Sequence, residues 1–310
     1  MTVTLKEKAW GGFMKIINFG SINIDIFFDL DHIVRPGETI SARSIEKRAG
    51  GKGLNQSIAL AKNFDSVYHV GNIGIDGKFL VEYLENEKIN TEFVRESKSL
   101  TGNALIQVDD KGENSIVLYK GANFDNDKDF VDRVFDHFDE NDILVLQNEI
   151  NMMDYIIDSA YEKGLKIVLN PSPITEEIKK FDYDKIDMVV LNEHEAKAIS
   201  GKSGVEANIK YFKETYPKLK LVITLGKEGS IYISEEETIR QESKKVKAVD
   251  STGAGDTFTG YFVANFYQGK KVKDCLELAT LASALSVTKK GASASIPSLS
   301  EVEEETSKKF

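Results

Sequence analysis

The segment DILVLQNEINMMDYIIDSAYEKGLKIVLN, residues 142–170, decides the fold. It opens on an apolar run, DILVLQ (142–147), and closes on another, KIVLN (166–170), with a helix-like stretch at 151–163 between them. A run with no polar alternation suits a strand covered on both faces. A helix between two such strands is the crossover that parallel neighbours need. The pattern repeats outward: DMVVLN (187–192) and KLVITLG (220–226) read as further buried strands, with helical stretches at 193–200 and 205–215. Two last helices are expected at about 255–268 and 272–288, the second carrying Leu276, Ala279, Ala282 and Leu285 on one face. The fold class is α/β, a three-layer αβα arrangement around a mostly parallel central sheet.

The first half reads differently. GSINIDIFFDL (20–30) and TGNALIQVDDKGENSIVLYKGAN (101–123) have the look of a small antiparallel sheet. In the second segment Ala104, Ile106 and Val108 alternate with polar neighbours, as do Ile116 and Leu118, across the turn Asp110-Lys111-Gly112. Such a sheet has an apolar face with no evident partner in the chain. It can close over a substrate, pair with a second subunit, or do both; the plainer alternative is an edge extension.

Composition sets the outer limits. The chain has 310 residues, 41% apolar and 29% charged, enough for one large domain or two ordinary ones. A net charge of −10 argues against a nucleic-acid protein, whose footprint is a basic face. A single cysteine, Cys275, rules out an internal disulfide and fits a reducing compartment. The four histidines stand far apart, without metal-ligand spacing. No run approaches the ~18 apolar residues of a membrane helix, and MTVTLKEKAWGGF lacks the apolar core of a signal peptide. The expectation is a soluble cytoplasmic protein with one domain over 14–300 and an extension at 1–13 to which no function is given.

Polar residues close the parallel strands: Asn148 and Glu149, Asn170, Asn192, and Thr224. Open α/β sheets bind ligands at these ends, although Asn192 also suits a helix N-cap. The glycine-rich segments fit neither common nucleotide fingerprint. Gly51-Lys52-Gly53 and Gly253-Ala254-Gly255 open like GxGxxG, but Gln56 and Phe258 stand where the last glycine belongs. Gly201-Lys202-Ser203 ends like a phosphate-binding P-loop, yet residue 196 is alanine.

The most informative segment is DSTGAGDTFTG, residues 250–260. A loop of small residues runs straight into an apolar helix, exposing the N–H groups of Gly253, Ala254 and Gly255 at a positive helix end that suits an anion. Asp256 sits in the same first turn. Its plainer role is to complement the helix dipole; its chemical role is to take a proton from an attacking hydroxyl during phosphoryl transfer. In GGKGLNQ (50–56), the glycines with Lys52 and Asn55 suit a ligand rich in hydroxyls. In GSINID (20–25), alternation puts Asn23 and Asp25 on one face, where Asp25, flanked by isoleucines, either faces solvent or pairs with sugar hydroxyls.

With GSINIDIF, RPGET (35–39), GNIGIDGKF (71–79), LQNEI, LNPSP, LNEHEA, ITLGKEGS and GASASIP in the same order, the chain resembles the ribokinase-like carbohydrate kinases from about Lys15 to Pro297. The resemblance implies the fold just described, with the small sheet (about 22–48 and 101–121) as a lid and dimer contact. It implies transfer of the γ-phosphoryl group of ATP to the 5-hydroxyl of D-ribose, with 2-deoxyribose, another pentose, a ketohexose or a nucleoside as alternative acceptors. Under it, Asn23, Asp25, Gly51, Lys52, Asn55 and Glu149 hold the sugar, Asp256 is the base, and Gly253, Ala254 and Gly255 form the anion hole. Asn192 and Glu195 organise Mg²⁺ and phosphates through water, while Thr224, Gly226 and Gly229 line the nucleotide site. Asp250, Thr252, Ser286, Lys289, Gly291 and Ser295 cage a monovalent cation, K⁺, partly through backbone carbonyls. Ser251 and Asn148 stand where the family commonly has threonine and leucine, and Thr280 falls near the adenine position. A third possibility, a sugar-binding regulator without catalysis, is disfavoured by the intact Asp256 and GAG loop.

Overall fold

The computed structural model describes residues 14–307, so the extension at 1–13 lies outside the described residues. In chain order the elements are β1 (Ile16–Phe19), β2 (Asn23–Asp29), β3 (Ser44–Gly50), α1 (Lys52–Ala61), β4 (Val67–Ile73), α2 (Lys78–Asn86), β5 (Asn90–Glu96), β6 (Gly102–Val108), β7 (Asn114–Tyr119), α3 (Lys128–Phe135), β8 (Ile143–Gln147), α4 (Met153–Lys163), β9 (Lys166–Asn170), β10 (Met188–Asn192), α5 (Glu193–Ser200), α6 (Val205–Thr215), β11 (Lys220–Thr224), β12 (Ser230–Ile233), β13 (Thr238–Gln241), α7 (Ala254–Tyr267), α8 (Val272–Ser286) and α9 (Leu299–Ser307).

Nine strands form the central sheet, in the order β13-β12-β11-β10-β9-β8-β1-β4-β5. Every pairing from β11 to β5 is parallel; β12 and β13 add an antiparallel edge that the apolar runs do not single out. The unbroken apolar strands are two interleaved faces. Leu144 and Leu146 of β8 join Ile17, Phe19, Ile167, Leu169 and Val189 beneath α3 to α6. Ile143 and Val145 join Val168, Met188 and Val190 on the other side, beneath α1, α7 and α8. Both layers cover apolar surface, which accounts for the lack of polar alternation. The expected helices are all present, and α7 is buried nearly all round, with Phe258, Tyr261, Phe262, Val263 and Ala264 in the core.

The second sheet has the order β3-β2-β6-β7. β2–β3 and β6–β7 pair antiparallel, as expected, while the two pairs meet through a parallel β2–β6 ladder. Gly112, with φ +77°, makes the β6–β7 turn, its N–H donating to the Asp109 carbonyl at 2.9 Å. The root of β2 is tied down by buried Ile24. Farther out, Ile116, Val117, Leu118 and Tyr119 of β7 are about half exposed. Among the described residues no helix is long and apolar enough to cross a membrane.

Candidate active site

The site lies where the carboxyl ends of the central strands meet the starts of α1 and α7. Gly253 caps α7 at φ +75°, and a Cβ there would come within 3.0 Å of Ala292 Cα, so glycine alone fits without strain. The Gly253 and Gly255 N–H groups have no acceptor among the described residues; that of Ala254 closes a long turn bond to the Ser251 carbonyl at 3.3 Å. The expected set of three open donors is therefore two open and one partly engaged. The space where a Gly255 Cβ would stand is empty to 4 Å, leaving room for an anion.

Asp256 is only 6% exposed. Its side chain does not cap its own helix, which has no side-chain cap bond, and it reaches across to α1 instead. Oδ1 accepts from Gln56 Nε2 at 2.9 Å and Oδ2 from Asn55 Nδ2 at 3.1 Å. As the acidic residue of the first turn it still complements the helix dipole, and it does so without a cap bond. It faces the helix bearing the hydroxyl-seeking residues.

Those residues converge on the same place. Glu149 Oε2 accepts from the Ser21 hydroxyl and from the Lys52 backbone N–H, the latter at 3.1 Å. Burial pushes the Glu149 carboxyl above the ordinary glutamate value, with Lys52 opposing. The Asp256 carboxylate, helped by Glu149 and Glu195, holds the Lys52 ammonium above the usual lysine value despite its burial. Asp25, pushed from 3.8 to about 7 by burial and then by the Glu149 charge, with Arg48 opposing, lies against Gly50, where a Cβ would be 2.2 Å from the carboxylate. Asn23 Oδ1 accepts from Asn123 Nδ2 at 2.7 Å. Gly51, at φ +94°, turns the chain into α1. Asn55 Oδ1 is a buried acceptor with no partner among the described residues. A cavity of about 580 Å³ extends outward from Asn23 and Glu149, between the end of β7 and the start of α4.

The residues expected on the nucleotide side line up along neighbouring strand ends. Asn192 and Thr224 sit opposite each other on β10 and β11, and Gly226 and Gly229 shape the following turn at φ +54° and +105°. Asn192 and Glu195 form a reciprocal capping box, at 2.9 and 2.8 Å, which realises the N-cap alternative and leaves Glu195 Oε1 free of that box. Asp250 Oδ1 accepts from Thr252 N–H and hydroxyl at 3.0 and 2.6 Å, and its Oδ2 from Gly291 N–H at 2.9 Å. Burial opposes these bonds, yet they hold the Asp250 carboxyl below its ordinary value. Ser286 and Ser295 hydroxyls donate to the Ser283 and Ala292 carbonyls, which leaves their oxygen lone pairs available, and the Lys289 ammonium turns away to Glu301 at 2.8 Å. The cation expectation therefore loses only the Lys289 side chain and keeps main-chain oxygens, Asp250 and the Ser286 and Ser295 hydroxyl oxygens. An all-oxygen set of that kind suits a hard cation.

A family model described as pfkB family carbohydrate kinase matches residues 14–299. The chain belongs to the pfkB family of carbohydrate kinases. Among its relatives is the ribokinase of Staphylococcus aureus (strain COL), 35% identical over 302 residues, covering 93% of this chain and 98% of the relative. Ribokinase from Thermotoga maritima has a similar structure, with TM-score 0.85 and 33% identity, covering 95% of this chain and all of that one. Arabidopsis thaliana ribokinase, solved with ribose and ATP, gives TM-score 0.83 at 29% identity, covering 94% of this chain and 98% of that one. This pfkB kinase therefore carries its expected fold.

Sequence reasoning missed several residues that build this kinase site. Ser21 and Asn123 hold Glu149 and Asn23. Gln147 and Gln56 form a buried amide chain behind Asp256. A polar residue ending an otherwise apolar strand, as Gln147 does, was the signal available for one of them. Gln56 stood out only as the residue that breaks a glycine pattern.

Proposed function

We propose that this pfkB kinase is an ATP:D-ribose 5-phosphotransferase. The observation that carries the reading is Asp256. It is a buried carboxylate at the start of α7, beside two open backbone N–H groups and turned toward α1, whose Lys52 and Asn55 suit sugar hydroxyls. In the reaction Asp256 takes the proton of the ribose 5-hydroxyl. The freed oxygen bonds to the γ-phosphorus of ATP, the bond from that phosphorus to the β-bridging oxygen breaks, and ADP leaves. Gly253 and Gly255 N–H groups, with the end of α7, receive the charge on the migrating group. Asn23, Asp25, Gly51, Lys52, Asn55 and Glu149 bind the sugar; Asn55 Oδ1 gains the donor it lacks. Thr224, Gly226 and Gly229 line the ATP site.

Mg²⁺, reached through water from Asn192 and Glu195, supplies charge neutralisation of the phosphates when bound. Asp250 with oxygens of Thr252, Ser286, Lys289, Gly291 and Ser295, partly backbone carbonyls, would hold K⁺, whose charge would steady the loop that presents Gly253. Residues 14–300 act as one kinase unit in the cytoplasm. The β2-β3-β6-β7 sheet is its lid, and it pairs with the lid of a second copy through its exposed apolar residues. The relative solved with ribose and ATP supports the choice of substrates.

The test is an acceptor panel with ATP and Mg²⁺, in K⁺ and in Na⁺, with the product identified by phosphorus and carbon NMR. The expected result is ribose 5-phosphate, formed faster from ribose than from 2-deoxyribose, fructose or nucleosides and faster in K⁺. Inert ribose beside rapid turnover of a hexose or nucleoside would sink the assignment.

A further inference from the structure

Behind Asp256 lies a chain of buried amides whose orientation is fixed from both ends. At one end Asn18 Nδ2 donates to the Gly53 carbonyl at 2.6 Å and to Ser57 Oγ at 2.7 Å. A carbonyl only accepts, so the Asn18 amide points its nitrogen there and its Oδ1 toward Gln147. Gln147 Nε2 donates to that Oδ1 at 2.8 Å and to Gln56 Oε1 at 2.8 Å. At the other end Asn170 Nδ2 donates to the Val190 carbonyl at 2.8 Å, so its Oδ1 faces Gln56 and accepts from Nε2 at 3.1 Å. Gln56 thus has its oxygen held by Gln147 and one N–H held by Asn170. Its second N–H has a single destination, Asp256 Oδ1, at 2.9 Å. Asn18, Gln56 and Gln147 are fully buried and Asn170 nearly so, so no water competes for these groups.

We propose that Gln56 is a positioning residue for the phosphoryl transfer: locked by Gln147 and Asn170, it donates to Asp256 Oδ1 and fixes which lone pairs of that carboxylate face the sugar hydroxyl. The proposal rests on the reading of Asp256 as the base. Two backbone carbonyls, Gly53 on α1 and Val190 on β10, set the direction of every amide in between, so the central sheet and α1 together aim the base. With Gln56 on Oδ1 and Asn55 on Oδ2, the carboxylate cannot turn about its own axis without losing a buried bond. The ionisable groups around it are Lys52 on α1 and Glu149 after β8, with Asp25 on β2 and Glu195 on α5 next beyond them; the test alters none of these.

The test compares Gln56→Leu, and Gln56→Glu as a variant of the same size, with the wild type, each also in an Asp256→Asn background. Turnover, ribose affinity by calorimetry and the pH profile of kcat are read. Gln56→Leu is expected to lower kcat by about 10- to 100-fold, the cost of misplacing a reacting group, with ribose affinity unchanged. The acidic limb of the profile moves to higher pH, because an ionised carboxylate has lost a donor. In the Asp256→Asn background the same change costs nothing further, since there is no base left to aim. Should Gln56→Leu fail to fold, Gln56→Glu is expected to show the same loss and a larger upward shift. An equal fold-loss in both backgrounds, or an unmoved pH profile in a folded variant, overturns the proposal and leaves Gln56 a packing residue. A slow Asp256→Asn beside a normal Gln56→Leu defeats the positioning role alone; near-normal turnover of Asp256→Asn removes the base reading and this proposal with it.

Discussion

Strand β7 and the segment that follows β8 border the same cleft, yet all five residues of β8 are buried, while β7 is exposed at nearly every position. At the end of β8 the polar groups are locked: Gln147 is bonded to Asn18 and Gln56, and Glu149 to Ser21 and Lys52. Along β7 the apolar side chains Ile116, Val117 and Leu118 stand more than half in solvent. One wall is built to hold atoms still and the other to move or to be covered. Phosphoryl transfer gains from fixed geometry, and sugar entry needs a wall that opens. On the proposed reading, the difference divides the work: chemistry and most sugar contacts at the central sheet, α1 and α7, admission at the second sheet.

The sharpest break in that division is Asp256→Asn. Asparagine keeps the shape and hydrogen-bonds the sugar but takes no proton. Turnover should fall by about 10²- to 10⁴-fold, or about 3–5 kcal/mol, with ribose affinity little changed. A loss of activity matched by a loss of melting temperature would assign Asp256 a structural role instead.

The fixed wall should also resist repacking. A Cβ on Gly260 of α7 would stand 2.3 Å from Ala59 Cβ and 2.8 Å from the Leu60 nitrogen of α1. Gly260→Ala gains helix propensity but forces the two helices apart, for a net loss on the order of 2 kcal/mol in urea unfolding. Unchanged stability would show that α1 and α7 yield more than the account allows.

Where the walls meet, Asp25 trades stability for recognition. Its carboxyl titrates near 7 in the fold against 3.8 ordinarily, so the protonated form favours folding. That contribution is complete below pH 3.8 and is lost as pH rises through about 7. Asp25→Asn stays neutral and should be more stable than the sugar-free wild type at pH 8 by on the order of 1 kcal/mol, while binding ribose poorly. The gap should widen from pH 5 to pH 8 in denaturant titrations; a constant gap would contradict the shift.

The smallest effect on the fold belongs to the lid edge. Val117→Lys should change the stability of the subunit by no more than about 0.5 kcal/mol and convert the proposed dimer to a monomer in sedimentation at micromolar concentration. A persistent dimer would move the interface elsewhere.

The same division governs how far the sequence could be read. The β8–α4–β9 unit was legible because apolar runs on both faces leave a strong signal, and its helices appear where the spacing puts them. The lid hairpin was legible from Gly112 and the alternation around it. The parallel β2–β6 ladder was not, because register between distant strands is set by the core to which β2 is rooted. Asp256 and Asn55 were legible as residue types that suit the chemistry. Gln56 and Gln147 were not, since their meaning lies in four amides brought together from α1, β1, β8 and β9.

Hydrogen exchange with and without ribose tests the division most directly, because it reads both walls in one sample. The account predicts that the amides of β8, α1 and the body of α7 are strongly protected before any sugar is added and change little. Those of β3, β6 and β7 should exchange quickly in the free protein and slow markedly when ribose binds. Lid amides already protected without sugar, or protection gained chiefly along β8 and α1, would contradict it.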